Sequence, residues 1–219
     1  MRFVNWIVYA VCSWSSALIL AAFFGLRVIG VHRLPKSGGV LLVANHQSFL
    51  DPVCIGCGRP RHFHYLARKT LFGHPLAGWI LRRLNSVPID QEGIGIEGIR
   101  NIIGRLESGN PVLVFPEGER THDGRMAPLK AGIALLFKRV KVPIVPVGIA
   151  GAYNAWPRWR KYPIPSPIFL APNGRAIAVA YGRPREAAEL LRLPRDEMLA
   201  VLTDDIAQLV KEAEAVRRK

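Results

Sequence analysis

Val40-Leu41-Leu42-Val43-Ala44 is an unbroken apolar run, bounded upstream by Ser37-Gly38-Gly39 and downstream by Asn45. A run this short between turn residues reads as a buried β-strand. Directly after it comes Asn45-His46-Gln47-Ser48-Phe49-Leu50-Asp51-Pro52. A histidine just past a strand end, followed closely by a carboxylate, can form a base and its orienting partner if the chain folds the carboxylate back. In a continuous helix His46 and Asp51 would face about 140° apart. Asp51-Pro52 points to another arrangement, with Asp51 as N-cap and Pro52 at the first helical position. The stretch then becomes a strand-to-helix loop able to bring Asp51 towards His46. On its own it reads more readily as a polar loop that satisfies backbone groups.

The same pattern recurs along the chain. Strands are expected over 62–67, 85–90, 112–115, 142–148 and 175–182, and helices from Pro52 to about Gly58, over 93–106 and over 130–140. Residues 71–84 suit a packed helix or a membrane-facing surface. Pro143 and Pro146 place the 142–148 strand at a sheet edge or in irregular pairing. From Arg195, the positions Met198, Leu202, Ile206, Leu209 and Ala213 form one apolar stripe of a C-terminal amphipathic helix. Strands alternating with helices predict an α/β fold, a single αβα domain with a mostly parallel central sheet. Ligands of such sheets meet the loops at the carboxyl ends of strands. Two loops there are rich in chemistry: the one holding His46 and Asp51, and Pro116-Glu117-Gly118-Glu119-Arg120-Thr121 after the 112–115 strand. Gly118 permits a tight turn, Arg120 offers a planar fork for phosphate, and Thr121 can donate to an oxyanion. The alternative for Arg120 is a salt bridge to Glu117 or Glu119.

Residues 3–26 carry no charge and exceed the roughly 20 residues needed to cross a bilayer core. Trp6, Tyr9 and Trp14 suit a membrane interface, whereas Asn5, Ser13, Ser15 and Ser16 fit a break between two shorter helices. Residues 1–29 are therefore expected to be a membrane anchor, one span or a broken helical hairpin, and 30–219 the folded domain. A cleaved signal peptide is disfavoured by the length of the stretch and the lack of a small-residue cleavage site. The chain has 30 Lys and Arg against 16 Asp and Glu, a net +14. That excess calls for an anionic partner, a phospholipid membrane or a phosphorylated substrate, because no zinc-finger spacing, aromatic RNA motif or long basic helix favours nucleic acid. If the segment spans, the positive-inside tendency places the domain on the cytoplasmic side of the cell membrane. The Trp- and Arg-rich segment 151–167 reads as a loop able to touch lipid headgroups. Cys12, Cys54 and Cys57 make no disulfide framework, and Cys54 and Cys57 with His62 and His64 are read as core residues rather than zinc ligands.

With these blocks in order, the chain resembles the membrane glycerolipid acyltransferases, most closely the 1-acyl-sn-glycerol-3-phosphate acyltransferases. Asn45 to Asp51 matches the family's N-H-x-x-x-x-D block, Phe115 to Thr121 its F-P-E-G-x-R-[ST] block, and 142–148 its fourth block. The second block, 85–91, matches in part: Gln91 stands where the family commonly has an arginine that contacts phosphate. A glycerol-3-phosphate or lyso-ornithine lipid acceptor therefore stays open, and the readings from other classes are a thioesterase that uses the same dyad with water and a non-catalytic basic membrane-binding protein. The resemblance implies acyl transfer from a thioester, carried by acyl-CoA or acyl carrier protein, to a lysophospholipid hydroxyl, with no metal or other cofactor. It implies His46 as base and Asp51 as its partner. Arg120, helped by Lys69 or Lys130, would hold the acceptor phosphate, and Glu117 would orient its hydroxyl, with Gly118 and Thr121 in the same substrate-binding loop. Backbone N–H groups near Gly148 or after Asn45 are the expected oxyanion donors.

Overall fold

The apolar run at 40–44 becomes the middle strand of the sheet. The structure, a computed structural model, describes residues 2–73, 75–83, 85–89 and 96–218; Asp90 and Gln91 lie outside them. The first half holds α1 (Arg2–Phe24), β1 (Arg27–Ile29), β2 (Val40–Ala44), α2 (Asp51–Gly56), β3 (His64–Arg68), α3 (Pro75–Arg83), β4 (Ser86–Ile89) and α4 (Ile96–Glu107). The second holds β5 (Pro111–Val114), α5 (Gly132–Phe137), β6 (Ile144–Ala150), α6 (Ala152–Ala155), β7 (Ala178–Tyr181), α7 (Ala187–Leu190) and α8 (Arg195–Val216). Among the described residues the sheet has seven strands in the order β1-β7-β6-β2-β5-β3-β4. Every pairing is parallel except β6 with β7.

Because side chains alternate along a strand, β2 feeds two cores. Val40, Leu42 and Ala44 pack on one face with Leu20 and Phe24 of α1, Cys54 and Ile55 of α2, and Ala152 and Ala155 of α6. Leu41 and Val43 pack on the other with α4, α5, α7 and α8. All five residues of β2 are fully buried. This is the αβα sandwich expected from the alternation of strands and helices. In α8 the predicted stripe Met198, Leu202, Ile206, Leu209 and Ala213 is the buried one.

Two expectations left open by the sequence are narrowed. β6 is an interior strand, between β7 and β2, rather than an edge strand, despite Pro146. The Pro146 carbonyl accepts from Gly182 N–H at 2.9 Å, just past the end of β7. The N–H and C=O of one strand residue point to the same side, so the donor that Pro146 lacks falls where β7 stops and the ladder with β2 stays whole. α1 is one continuous helix rather than a broken hairpin. Its hydroxyls are satisfied in place: Ser15 donates to the Cys12 carbonyl, Ser13 accepts from Gly58 N–H at 2.9 Å, and Tyr9 accepts from Phe63 N–H at 3.1 Å. Residues 27–29, at the end of the stretch expected to anchor the chain, form edge strand β1 against β7.

Cys54 of α2, and Cys57, His62 and His64 after it, sit in or beside the core. Cys54 and Cys57 are buried, and burial pushes the Cys57 thiol up to about 11. Burial pushes His64 down to about 4, and the His62 ring lies 3.9 Å from that of Tyr9. Protonated thiols beside a neutral imidazole fit packing rather than charge.

A Cβ at Gly148 would lie 2.3 Å from the Leu209 carbonyl carbon and 2.4 Å from Val210 N. Gly148→Ala should push α8 off β6 and cost about 1–3 kcal/mol in a denaturant titration. Gly104→Ala, on the open side of α4 with nothing within 4 Å, should instead stabilise by up to about 1 kcal/mol.

Candidate functional site

The parallel strands deliver their following loops to one edge of the sheet. Asn45 and His46 leave β2, Phe115 to Thr121 leave neighbouring β5, and Lys69 leaves β3, the next strand over. On the other side of β2, the Asn45 side chain continues the ladder after the backbone has turned away. It donates to Ile149 C=O at 3.0 Å and accepts from Ile149 N–H at 2.8 Å. This bidentate pair sets where His46 begins.

His46 and Asp51 are in contact, with Nδ1 and Oδ2 2.7 Å apart. Asp51 is fully buried, and the same oxygen accepts the backbone N–H groups of Gln47 at 2.5 Å and Ser48 at 2.7 Å. The expected N-cap is therefore replaced by a different task. Helix α2 starts at Asp51 itself, with Leu50 as cap, and the carboxylate turns back to close the 46–51 loop. An acceptor-only carboxylate requires the proton on Nδ1, which leaves Nε2 as the basic nitrogen. The imidazole also lies flat on Phe115, ring centres 4.0 Å apart and planes 14° apart. Ring orientation and tautomer are thus held by two separate contacts.

The second loop grips the first through the backbone of residue 46. His46 N–H donates to Glu117 Oε1 at 2.6 Å, and His46 C=O accepts from Thr121 N–H at 2.9 Å. Glu117 Oε2 accepts from Ala127 N–H at 2.7 Å, so one buried carboxylate joins three chain segments. Burial raises its carboxyl to about 7, against two backbone donors that favour the charged form. Glu117 is 2 % exposed with both oxygens engaged, a clamp rather than a group presented to an acceptor hydroxyl. The Thr121 hydroxyl donates to Asp123 Oδ1 and accepts from Gly124 N–H, closing its own turn instead of facing an oxyanion.

Arg120 lies over the Phe49 ring, its guanidinium carbon 3.4 Å from the centroid. Phe49 in turn meets Trp156, ring centres 5.2 Å apart. A stacked guanidinium still presents its N–H edge in plane, which is the edge that reads phosphate. Glu119 pairs with Arg158 at 3.1 Å, and Arg158 also donates to the Arg120 carbonyl at 3.2 Å. Gly118 turns with φ 76°, and the Lys130 side chain crosses its bare face, so a Cβ there would meet Nζ at 2.7 Å. Lys130 thereby belongs to this loop cluster. Lys69, half exposed, reaches Glu97 of α4 at 3.9 Å. Neither expected oxyanion source fits: the Gln47 and Ser48 amides are held by Asp51, and Gly148 packs against α8. Phe49 and Trp156 were not singled out from sequence, and Asn45 and Phe115 entered only as letters of the matched blocks, without the tasks the structure gives them. For Phe49 the one available signal is an aromatic residue within the block that holds His46 and Asp51.

The chain is similar to known acyltransferases. The family model described as Acyltransferase matches residues 25–150, more than half the chain. The 1-acyl-sn-glycerol-3-phosphate acyltransferase of Bacillus subtilis (strain 168) is 29% identical over 207 residues, covering 94% of this chain and 96% of that protein. The protein of the same description from Streptococcus pneumoniae is 34% identical over 113 residues, 51% of this chain and 41% of its own length. The crystal structure of the 1-acyl-sn-glycerophosphate (LPA) acyltransferase from Thermotoga maritima superposes with a TM-score of 0.69 at 26% identity, covering 87% of this chain and 72% of that one. The loops that hold His46, Asp51 and Glu117–Thr121 all fall within the matched span, and the chain belongs to the acyltransferase family.

Proposed function

We propose that the protein is an O-acyltransferase that moves a fatty acyl group from a thioester, on coenzyme A or acyl carrier protein, to the free hydroxyl of 1-acyl-glycerol-3-phosphate, forming phosphatidic acid. The observation that carries this reading is the 2.7 Å pair of His46 Nδ1 and buried Asp51 Oδ2 at the strand-end edge. An alcohol is a poor nucleophile near neutral pH, and a positioned base contributes roughly 10²–10⁴ in rate. His46 Nε2 takes the hydroxyl proton as the oxygen attacks the thioester carbonyl carbon. The C–S bond then breaks, and the imidazolium returns the proton to the leaving thiolate. Asp51 stabilises that imidazolium without itself taking the proton. The acceptor hydroxyl stands where a serine would in a triad, so no acyl-enzyme forms.

Arg120 is the phosphate fork in this reading, with Lys130 and Lys69 adding positive charge at the same edge. Glu117 acts as a positioning residue that sets the His46 backbone. The anchor is α1, whose segment Trp6–Phe24 is long and apolar enough to cross a membrane, with mean hydropathy 2.0. One stripe of it, Tyr9, Ser13, Leu20 and Phe24, is buried against the domain, while Ile7, Val11, Trp14 and Leu18 face outwards. A helix packed along its length on a folded domain cannot cross a bilayer without dragging that domain into hydrocarbon, so α1 lies in one leaflet. The +14 chain then sits on the cytoplasmic side, against anionic lipid.

His46→Ala should lower kcat by about 10²–10⁴ with folding and membrane binding intact. The assay crosses acyl-CoA and acyl carrier protein donors with lysophosphatidic acid, glycerol-3-phosphate and lyso-ornithine lipid, and near-normal turnover in the variant would remove the base from His46. Phe49→Leu takes the ring from under Arg120 and should raise the acceptor KM about two- to tenfold with kcat little changed, whereas Phe49→Tyr restores it. A change confined to the donor KM would contradict the phosphate assignment.

Glu117 makes a pH-dependent prediction. A carboxyl raised to about 7 in the fold, from an ordinary value near 4.5, stabilises fully below 4.5 and less as pH rises towards 7. The loss is on the order of 3 kcal/mol and is complete above that window. Glu117→Gln cannot ionise, so its Tm relative to the parent should climb between pH 4.5 and 7. A flat difference would show an unshifted carboxyl.

A further inference from the structure

The segment 156–170 leaves large apolar side chains in the open. Trp159, Tyr162 and Phe169 are 67%, 66% and 69% exposed, and Ile168 and Leu170 are more than half exposed beside them. Scattered exposed apolar residues are ordinary, but a cluster of aromatics on one segment marks a contact surface. The exposure does not come from slack chain. Ser166 N–H donates to Phe23 C=O at 2.7 Å and Ile168 N–H to Ala22 C=O at 2.9 Å, which ties the segment to the end of α1. Arg218 donates to the Pro167 carbonyl at 2.9 Å and also to that of Leu170. The fold therefore holds these rings outwards.

We propose that segment 156–170 is a second membrane-contacting surface, seated at the headgroup layer of an anionic phospholipid leaflet and continuous with the outer face of α1. The continuity is physical: the Phe23 ring of α1 meets the Phe169 ring edge to face at 6.2 Å. The charge complements such a leaflet. Arg160 lies over the Trp159 ring at 5.2 Å and Lys161 over the Tyr162 ring at 5.4 Å. Each pair has an apolar ring that can enter the acyl boundary and a cation that remains with the phosphates. A protein partner would need a shaped, largely uncharged centre, which this alternation of rings and cations does not offer. The segment also adjoins the site. Ser48 Oγ donates to Trp156 C=O at 2.9 Å, and Arg158 bonds the Arg120 carbonyl at 3.2 Å. Contact at 156–170 thus sets the mouth of the site at the depth where a lysophospholipid carries its phosphate. The inference rests on α1 lying in one leaflet and adds the contact that fixes the tilt of the domain.

The test uses the full chain with Trp159 as its single tryptophan, Trp6, Trp14, Trp79 and Trp156 each changed to Phe. It is mixed with phosphatidylcholine–phosphatidylglycerol vesicles, with and without lipids brominated along the acyl chain. The chain should float with the vesicles, and brominated lipid should quench Trp159 emission at least about twofold, as expected of an interfacial ring. A floating chain whose Trp159 stays unquenched overturns the proposal and leaves anchoring by α1 standing; a chain that does not float overturns both. In a second arm, Trp159→Ala with Phe169→Ala should lose about tenfold in kcat/KM on acceptor embedded in vesicles and keep its rate on acceptor dispersed in detergent. Equal losses in both media would assign the two rings to the domain's own packing and overturn the membrane contact.

Discussion

The backbone of His46 is held from both sides by the loop that follows β5, and the rest of the site hangs on that grip. Glu117 takes the N–H and Thr121 gives its N–H to the C=O, so the two loops stay paired after their strands have ended. Asp51 then folds back to take the next two amides and the imidazole on one oxygen. Each carboxylate is buried, and burial alone disfavours its charge. Part of that cost is offset by two backbone donors on each: Gln47 and Ser48 on Asp51, His46 and Ala127 on Glu117. The arrangement is rigid because loosening the loop would leave buried charge without partners, a penalty of about 1–3 kcal/mol per group.

As the proposed base, His46 would need little rearrangement when a substrate arrives. The ring of His46 has Nδ1 on Asp51 and one face on Phe115, so its remaining freedom is small. Arg120 is prepared in the same manner, flat on Phe49 with Trp156 behind it. The two functional groups come from different strands, yet Phe49 lies between His46 and Asp51 in the chain. In the proposed reading one loop therefore supplies the base, its partner and the platform for the phosphate fork. That coupling gives the aromatic residue at position 49 its task.

Much of this could be read from sequence, and what could not has identifiable physical causes. Short apolar runs between turn residues located the strands, and polar residues just past their ends located the site. The pairing of His46 with Asp51 was one of two readings of the loop by itself, and it gained weight from the second loop at the same sheet edge and from the matched blocks. What sequence could not supply was the direction of each carboxylate. Asp51 before a proline fits an N-cap, and only the turn of the loop shows its oxygen pointing back to Gln47 and Ser48. Glu117 in a loop beside Arg120 looks like a substrate ligand, and only burial shows it engaged with His46 and Ala127. Pro146 argued for an edge strand because local rules ignore where a neighbour ends; β7 stops at Tyr181, just short of the missing donor. Tertiary register decided all three.

The membrane side of the molecule follows from the substrate's own physics. Drawing a lysolipid's chain out of a bilayer costs about 0.8 kcal/mol for each methylene exposed, so ten methylenes cost about 8 kcal/mol. An enzyme that waits in water for its acceptor bears that cost in every encounter; one whose site opens at headgroup depth does not. The fold has the parts for the second solution. α1 presents Val11, Trp14 and Leu18 outwards while its other stripe is locked on the domain, and Trp159 and Phe169 continue that apolar surface towards the site. A single embedded helix would let the domain roll about the helix axis. A second contact, tied by backbone hydrogen bonds to the end of the helix and by Arg158 to the Arg120 loop, removes that freedom. In the proposed reading, two points of attachment and a phosphate fork between them would convert a diffusive search in three dimensions into one in the plane of the lipid.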